Sequence, residues 1–184
     1  GATLTPDWKQ NFGRWLSNNV APLRILHQAA SLPKSRFPLD WTNGAAFRLP
    51  HLSQIHWLGP LLRAEALFHS DSGNPVGAVE SIVASFGVAR SLSTDLNTSA
   101  AWLRLECLSM TCSSLERLLT QHSVSEPDLK KLLALVAEAE SQPNFGDVWA
   151  GQRAMDFAAY YLPPERLFQA ASPNISRQQA NTFG

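Results

Sequence analysis

Two glutamates in apolar surroundings are the residues of this chain best suited to acid–base chemistry. Glu65 lies in "LLRAEALF" and Glu106 in "WLRLECL". If both carboxylates face one cleft, one can donate a proton while the other acts as base or nucleophile, as in glycoside hydrolysis. The favoured alternative is structural: each side chain is half-exposed or bonded to an arginine of a neighbouring helix. The sequence does not fix the distance between the two carboxylates.

A second group of candidates lies in residues 31–49, a segment that we call the strap. It contains "KSRFPLDW", lacks helical spacing and is long for a connection inside one domain. At the edge of a groove, its tryptophan would offer a flat face and its basic groups would receive an acidic or peptide ligand. The candidate binding residues are Arg36, Asp40, Trp41 and Arg48 of the strap, together with His51 just after it.

Packing is the favoured alternative for the strap. Phe37, Trp41 and Phe47 are large enough to cover the neighbouring helices, and Asp40 can pair with a nearby arginine. The turn-forming residues of "PLDWTNG" agree with either interpretation, because turns occur both in binding loops and in packed connections.

No recognised metal, nucleophile or phosphate-binding motif occurs in the sequence. The five histidines do not show metal-ligand spacing, and H-E-x-x-H, G-x-S-x-G and P-loop patterns are missing. We therefore predict no metal ligands and no cofactor. Cys107 and Cys112 are five apart on one predicted helix, point in different directions and are predicted to be buried, unbridged side chains.

The composition is typical of one globular domain. The chain has 184 residues, of which 45% are hydrophobic and only 16% charged, with fifteen basic residues against fifteen acidic ones. This neutral balance argues against nucleic acid as a partner, since such binding depends on clustered positive charge. No apolar run approaches the roughly 20 residues of a membrane span, so we expect no membrane insertion by this segment. The first residue is Gly and not Met, so a missing targeting signal says nothing about location.

Helical spacing of apolar residues dominates the chain and predicts an all-α fold. We predict one domain over residues 1–171 and a polar tail over 172–184. Cap residues Thr5, Asn74, Ser125 and Asp147 mark several starts, and Ser125 with Asp128 forms a capping box. The predicted helices are 6–30, 50–69, 75–93, 98–121, 126–141 and 147–162, with a further short turn bringing the count to about six or seven.

Two pairs of these helices form antiparallel hairpins of similar length, 50–93 and 98–141. Stacked hairpins of this size predict either a right-handed α-solenoid resembling tetratricopeptide repeats or an irregular bundle. The strongest periodicity lies in 98–121, where the predicted core stripe is Ala101, Leu105, Leu108, Cys112, Leu115 and Leu119. Most of the six tryptophans also fall on or beside helical stripes and are predicted to be core residues.

Part of the chain resembles a known group of sequences. The motifs are a His-x-Ala-Ala start, an Arg-Phe-Pro-x-Asp strap, a Leu-Pro-His-Leu helix start and an Ala-Arg-x-Leu stretch. The matching residues are His27, Ala29, Ala30, Arg36, Phe37, Pro38, Asp40, Leu49, Pro50, His51, Leu52, Ala89, Arg90 and Leu92. In these motifs the chain is similar to a family of uncharacterised helical proteins from planctomycete- and verrucomicrobia-type bacteria. The resemblance covers a little over half the chain and supplies no activity, but it implies an anchored protein that faces outside the cytoplasm.

Two functional hypotheses remain from the sequence. The leading one is a non-enzymatic helical module that binds a protein or peptide, within a larger exported or membrane-anchored bacterial protein. The alternative is an extracytoplasmic hydrolase or small-ligand binder that uses Glu65 and Glu106 in a cleft under the strap. An enzyme needs titratable groups converging in a pocket, whereas a module needs an exposed and partly apolar surface.

Overall fold

The computed structural model describes residues 4–38, 49–161 and 163, and this part of the chain forms seven α-helices without any strand. The predicted all-α class is thus confirmed for the described residues. The strap residues 39–48 and the predicted tail 172–184 lie outside them. The helices are α1 (Pro6–Asn18), α2 (Val20–Ala30), α3 (Pro50–Asp71), α4 (Pro75–Ser91), α5 (Thr98–Gln121), α6 (Glu126–Ser141) and α7 (Phe145–Ala159).

The boundaries of α3 to α6 fall within two residues of the predicted ones, but the first predicted helix is divided in two. Asn19, between α1 and α2, leaves helical geometry with φ −119° and ψ 21°. Its side-chain amide donates to the carbonyl oxygen of Trp15 at 2.8 Å. Asparagine side chains compete with the backbone for such partners, which favours helix ends over helix interiors.

Side-chain caps explain where four of the helices begin. Asn74, Asn97, Ser125 and Asn144 each accept a hydrogen bond from the backbone N–H three residues further on. The predicted caps at Asn74 and Ser125 are confirmed. The predicted cap at Asp147 is wrong, because Asn144 takes that role and starts α7 two residues earlier. Thr5 precedes α1 but makes no capping bond with its side chain.

The packing has α3, α4 and α5 at its centre. The odd-numbered helices contact each other in chain order, α1 with α3, α3 with α5 and α5 with α7, and the even-numbered helices do the same from α2 through α4 to α6. One apolar cluster joins α1 and α2 to the central helices, with Leu62 and Leu92 almost fully buried. A second cluster joins α4 and α5 to α6 around Ile82 and Leu118. Full burial of each such side chain contributes about 1.5–3 kcal/mol.

Helix α5 buries a different face from the predicted one. Its buried residues are Ala100, Leu103, Cys107, Thr111, Ser114 and Leu118. Of the predicted stripe, Leu108 and Leu115 pack against the second cluster, whereas Leu105, Cys112 and Leu119 are exposed. The prediction of a buried Cys107 is therefore confirmed, and that of a buried Cys112 is wrong.

Candidate partner-binding groove

The strap candidates are only partly described by the structure. Asp40, Trp41 and Arg48 lie outside the described residues, and Arg36 is exposed. His51 is buried at the start of α3, where its Nε2 lies 2.7 Å from Asp95 Oδ2 and its ring stacks on Phe37 at a centroid distance of 4.2 Å. The structure therefore places His51 in a packed and hydrogen-bonded pair.

Glu65 is held in the interior by side chains of two neighbouring helices. Its Oε2 accepts hydrogen bonds from His27 Nε2 of α2 at 2.8 Å and from Ser81 Oγ of α4 at 2.9 Å. The hydrogen bond with Glu65 raises the pKa of His27. Burial opposes that increase in the pKa, and the negative charges of Glu65 and Glu80 add to it. Glu65 is thus bonded to a histidine and a serine. The structural interpretation of the sequence had an arginine as its partner.

Glu106 lies in different surroundings from Glu65. Its side chain is 51% exposed, and its Oε2 lies 3.7 Å from His56 Nδ1 of α3. The two glutamates share neither a hydrogen-bond partner nor a groove, since only Glu106 lines the groove described next. The geometry of the described residues does not join them into one acid–base site.

A wide groove that is open to solvent runs between α3 and α5 and has a volume of about 690 Å³. We call it the α3–α5 groove. Its lining comprises Leu52, Ser53, His56, Ser99, Trp102, Leu103, Leu105, Glu106 and Ser109. The walls are mostly apolar and the polar atoms are few. The groove therefore combines an apolar contact surface with one acidic side chain, one imidazole and three serines.

Aromatic side chains extend the α3–α5 groove on both sides. Trp57 packs edge-on against His56 at 5.7 Å, and Trp102 packs edge-on against Phe145 of α7 at 6.4 Å. Trp57 is 68% exposed and Trp102 is 67% exposed. Large aromatic rings left in solvent beside a groove are the residue type that dominates binding energy at protein interfaces.

The prediction that most tryptophans are core residues is wrong for the five that the structure describes. All five are exposed, and all lie on odd-numbered helices. They are Trp8 and Trp15 of α1, Trp57 of α3, Trp102 of α5 and Trp149 of α7. An exposed aromatic at helical spacing gives the same sequence signal as a buried one, so periodicity alone did not separate the two.

Pro60 changes the backbone hydrogen bonding of α3 at the groove residue His56. Pro60 lies inside α3 and has no N–H, so it cannot donate the helical hydrogen bond to the carbonyl oxygen of His56, four residues earlier. The groove residue His56 thus carries a backbone acceptor without its usual helical donor.

Sequence reasoning missed His56, Trp102 and Ser109 as groove residues. A usable signal existed, because Trp102, Leu105 and Ser109 are spaced i, i+3 and i+7 and therefore share one face of α5. This face of α5 is adjacent to its buried face. The stripe predicted from the sequence mixed residues of the two faces.

No family model, no curated protein and no solved structure matches this chain. The resemblance to the planctomycete-type family therefore stays a prediction. Within residues 4–38, 49–161 and 163, no helix has both the length and the apolar character needed to cross a membrane. Across the same residues, no group of three or more histidine, cysteine, aspartate or glutamate side chains is placed to hold a metal ion.

Proposed function

We propose that the protein is a non-enzymatic interaction module whose odd-numbered helices bind a segment of another protein. The observation that carries this proposal is the placement of the described tryptophans, which are all exposed and all on odd-numbered helices. Burying an exposed aromatic ring on binding removes a large apolar area from water at a low cost in side-chain entropy.

The order of helix contacts supports a solenoid-like arrangement. In stacked antiparallel hairpins, one helix of each pair forms an inner layer and the other an outer layer. Contacts from α1 through α3 and α5 to α7, and separately from α2 through α4 to α6, agree with two such layers. We propose that the odd-numbered layer is the binding surface, with the α3–α5 groove at its middle.

The lining of the groove defines the chemistry of the partner. Trp102 and Leu105 favour apolar or aromatic side chains, as does the exposed Trp57 next to the lining residue His56. Glu106 favours a basic group beside them. The partner is therefore a peptide segment with apolar anchors and a neighbouring lysine or arginine. Following the family resemblance, we propose that the module belongs to a larger exported or membrane-anchored bacterial protein.

Selection from a displayed random peptide library tests this function and does not require the natural partner. We expect enriched peptides to combine apolar anchors with a basic residue. We expect Trp102→Ala to weaken a selected peptide by more than about thirtyfold, the size of an interface hot spot. Isothermal titration calorimetry measures that ratio directly.

Leu133→Ala is the matched control. Leu133 is a large apolar residue of α6 that is 70% exposed, and it lies on an even-numbered helix. It should change the affinity by less than about twofold. A library that yields no binding peptide, or peptides that bind the Trp102→Ala variant as tightly as the unaltered protein, would contradict the proposal. No observation among the described residues favours the hydrolase over this module.

A further inference from the structure

A partly enclosed cavity of about 320 Å³ lies between α2, α3, α4 and the first residues of the strap. Its volume falls at the lower end of small-molecule sites, which span about 300–1,000 Å³. The walls are mainly apolar, with Leu26, Leu32, Phe37, Ile55, Leu58 and Ala84 among them.

Two small residues of α4, Ala84 and Gly87, maintain the cavity. Ala84 lines it as a buried methyl group, and Gly87 lies one turn further along the same helix. At Gly87 the helix already contacts α2, because a Cβ atom built there would lie 2.9 Å from the Cα of Ala30. Since α2 and α4 touch at this point, they cannot approach further to fill the space.

Hydrogen bonds hold the strap end of the cavity in place. Arg90 Nη2 donates to the carbonyl oxygens of Ala30 at 2.7 Å and Leu32 at 3.1 Å. Ser35 Oγ donates to the carbonyl oxygen of Ser91 at 3.2 Å. These contacts fix the chain leaving α2 against the end of α4. The wall is therefore preorganised, which lowers the entropy cost of binding.

His51 gives this mostly apolar cavity a specific hydrogen-bonding group. A carboxylate is an acceptor only, so the 2.7 Å contact requires His51 Nε2 to donate to Asp95. This commits Nε2 to Asp95, and Nδ1 is the second hydrogen-bonding atom of the ring. Stacking on Phe37 fixes the plane of the ring. The other polar residues of the lining are Gln54 and the already hydrogen-bonded Ser35, Arg90 and Ser91. A ligand with a hydrogen-bond donor on a hydrocarbon body matches such a lining.

We infer that this cavity binds a small aromatic or short-chain molecule that carries a single N–H or O–H donor. The inference concerns a site separate from the α3–α5 groove and does not depend on the proposed function. It is based on the mainly apolar cavity, on the hydrogen bonds that hold its wall, and on the His51 ring, whose plane is fixed by stacking on Phe37.

Indole and indene are suitable probes because they have nearly the same two-ring shape and differ in one N–H donor. We expect indole to shift the methyl NMR signals of Ala29 and Ala84 in a saturable manner and to bind about three- to tenfold more tightly than indene, the net value of one hydrogen bond. Ala84→Leu should fill the cavity and weaken indole by at least about tenfold.

Two further variants keep the experiment decisive. If Ala84→Leu lowers the melting temperature, the smaller Ala84→Val replaces it, since it still adds volume at a buried position of the cavity wall. Trp102→Ala is the control and should leave indole binding unchanged. The inference is overturned if the methyl signals do not saturate, if indene binds as tightly as indole, if the cavity-filling variants keep full affinity, or if Trp102→Ala abolishes binding. A crystal structure with side chains of residues 39–48 inside the cavity would overturn it equally.

Discussion

At the scale of single residues, the interior of this protein contains polar side chains that join helices distant in sequence. Glu65 of α3 receives hydrogen bonds from His27 of α2 and Ser81 of α4, so one carboxylate holds three helices. Such a group is costly to bury unless it is paired, and removing one partner leaves the other unsatisfied. The hydrogen bond from His27 to Glu65 therefore helps to fix the position of α2 against α3.

The His27–Glu65 pair makes stability depend on pH. Because the folded-state pKa of His27 is raised above its ordinary value of 6.5, the pair stabilises the fold fully below about pH 6.5. That contribution is lost as the pH rises through the folded-state pKa. We expect His27→Gln to lower the free energy of unfolding by about 1 kcal/mol near pH 6 and by less near pH 9. Urea titrations of both proteins measure the difference, and a difference that grows with pH would contradict this account.

The two cysteines should differ in reactivity. Cys107 is 2% exposed, and burial raises the pKa of its thiol to about 11, with a smaller contribution from the charge of Glu106. Cys112 is free and exposed. Since the thiolate is the reactive form, we expect Ellman's reagent to modify one thiol per chain in the native protein and two after denaturation. Cys112→Ser should remove the fast native reaction, and a rapid reaction that survives this change would show that Cys107 is accessible.

At the scale of helices, two glycines have opposite roles. Gly87 allows α4 to touch the backbone of α2, because a Cβ atom there would lie 2.9 Å from Ala30 Cα. Gly13 of α1 faces Phe68, and a Cβ atom there would lie 3.4 Å from that ring, which is an ordinary contact. The first glycine is therefore required by packing, whereas the second only lowers helix propensity.

Alanine at these two positions should change stability in opposite directions. We expect Gly87→Ala to reduce the free energy of unfolding by about 1–3 kcal/mol, since α2 and α4 must separate. Gly13→Ala should increase it by up to about 1 kcal/mol through helix propensity. Thermal denaturation of both variants checks this pair of signs. Equal effects would mean that the close approach of α2 and α4 does not exist in solution.

Sequence patterns predicted helix boundaries better than helix faces. Cap residues such as Asn74 and Ser125 act within four residues of the chain, so their signal is local and readable. The buried face of α5 includes Thr111 and Ser114, whose hydroxyls donate to the carbonyl oxygens of Cys107 at 2.7 Å and Met110 at 3.0 Å. Because each hydroxyl is satisfied within its own helix, a polar residue can occupy the core. A pattern of apolar residues therefore does not identify such positions as buried.

At the scale of the whole molecule, the candidate sites depend on contacts that no local pattern contains. The all-α class and the pairing of α3 with α4 could be predicted from periodicity. The pairing of His51 with Asp95 joins residues 44 apart, and the α3–α5 groove exists only because those helices are neighbours. Likewise, a tryptophan on a helical stripe has the same sequence signature whether the stripe faces the core or a binding partner. The exposed tryptophans of the odd-numbered helices are thus the feature that the structure adds.

The most direct measurement of the central claim is photo-crosslinking of a library-selected peptide to the protein. A benzophenone side chain is placed at Ser109, an exposed residue of the α3–α5 groove, or at Ala134, an exposed residue of α6. If the odd-numbered helices form the binding surface, the peptide crosslinks from position 109 and not from position 134, as mass spectrometry of the products would show. Crosslinking from position 134 alone, or equally from both positions, would contradict the account.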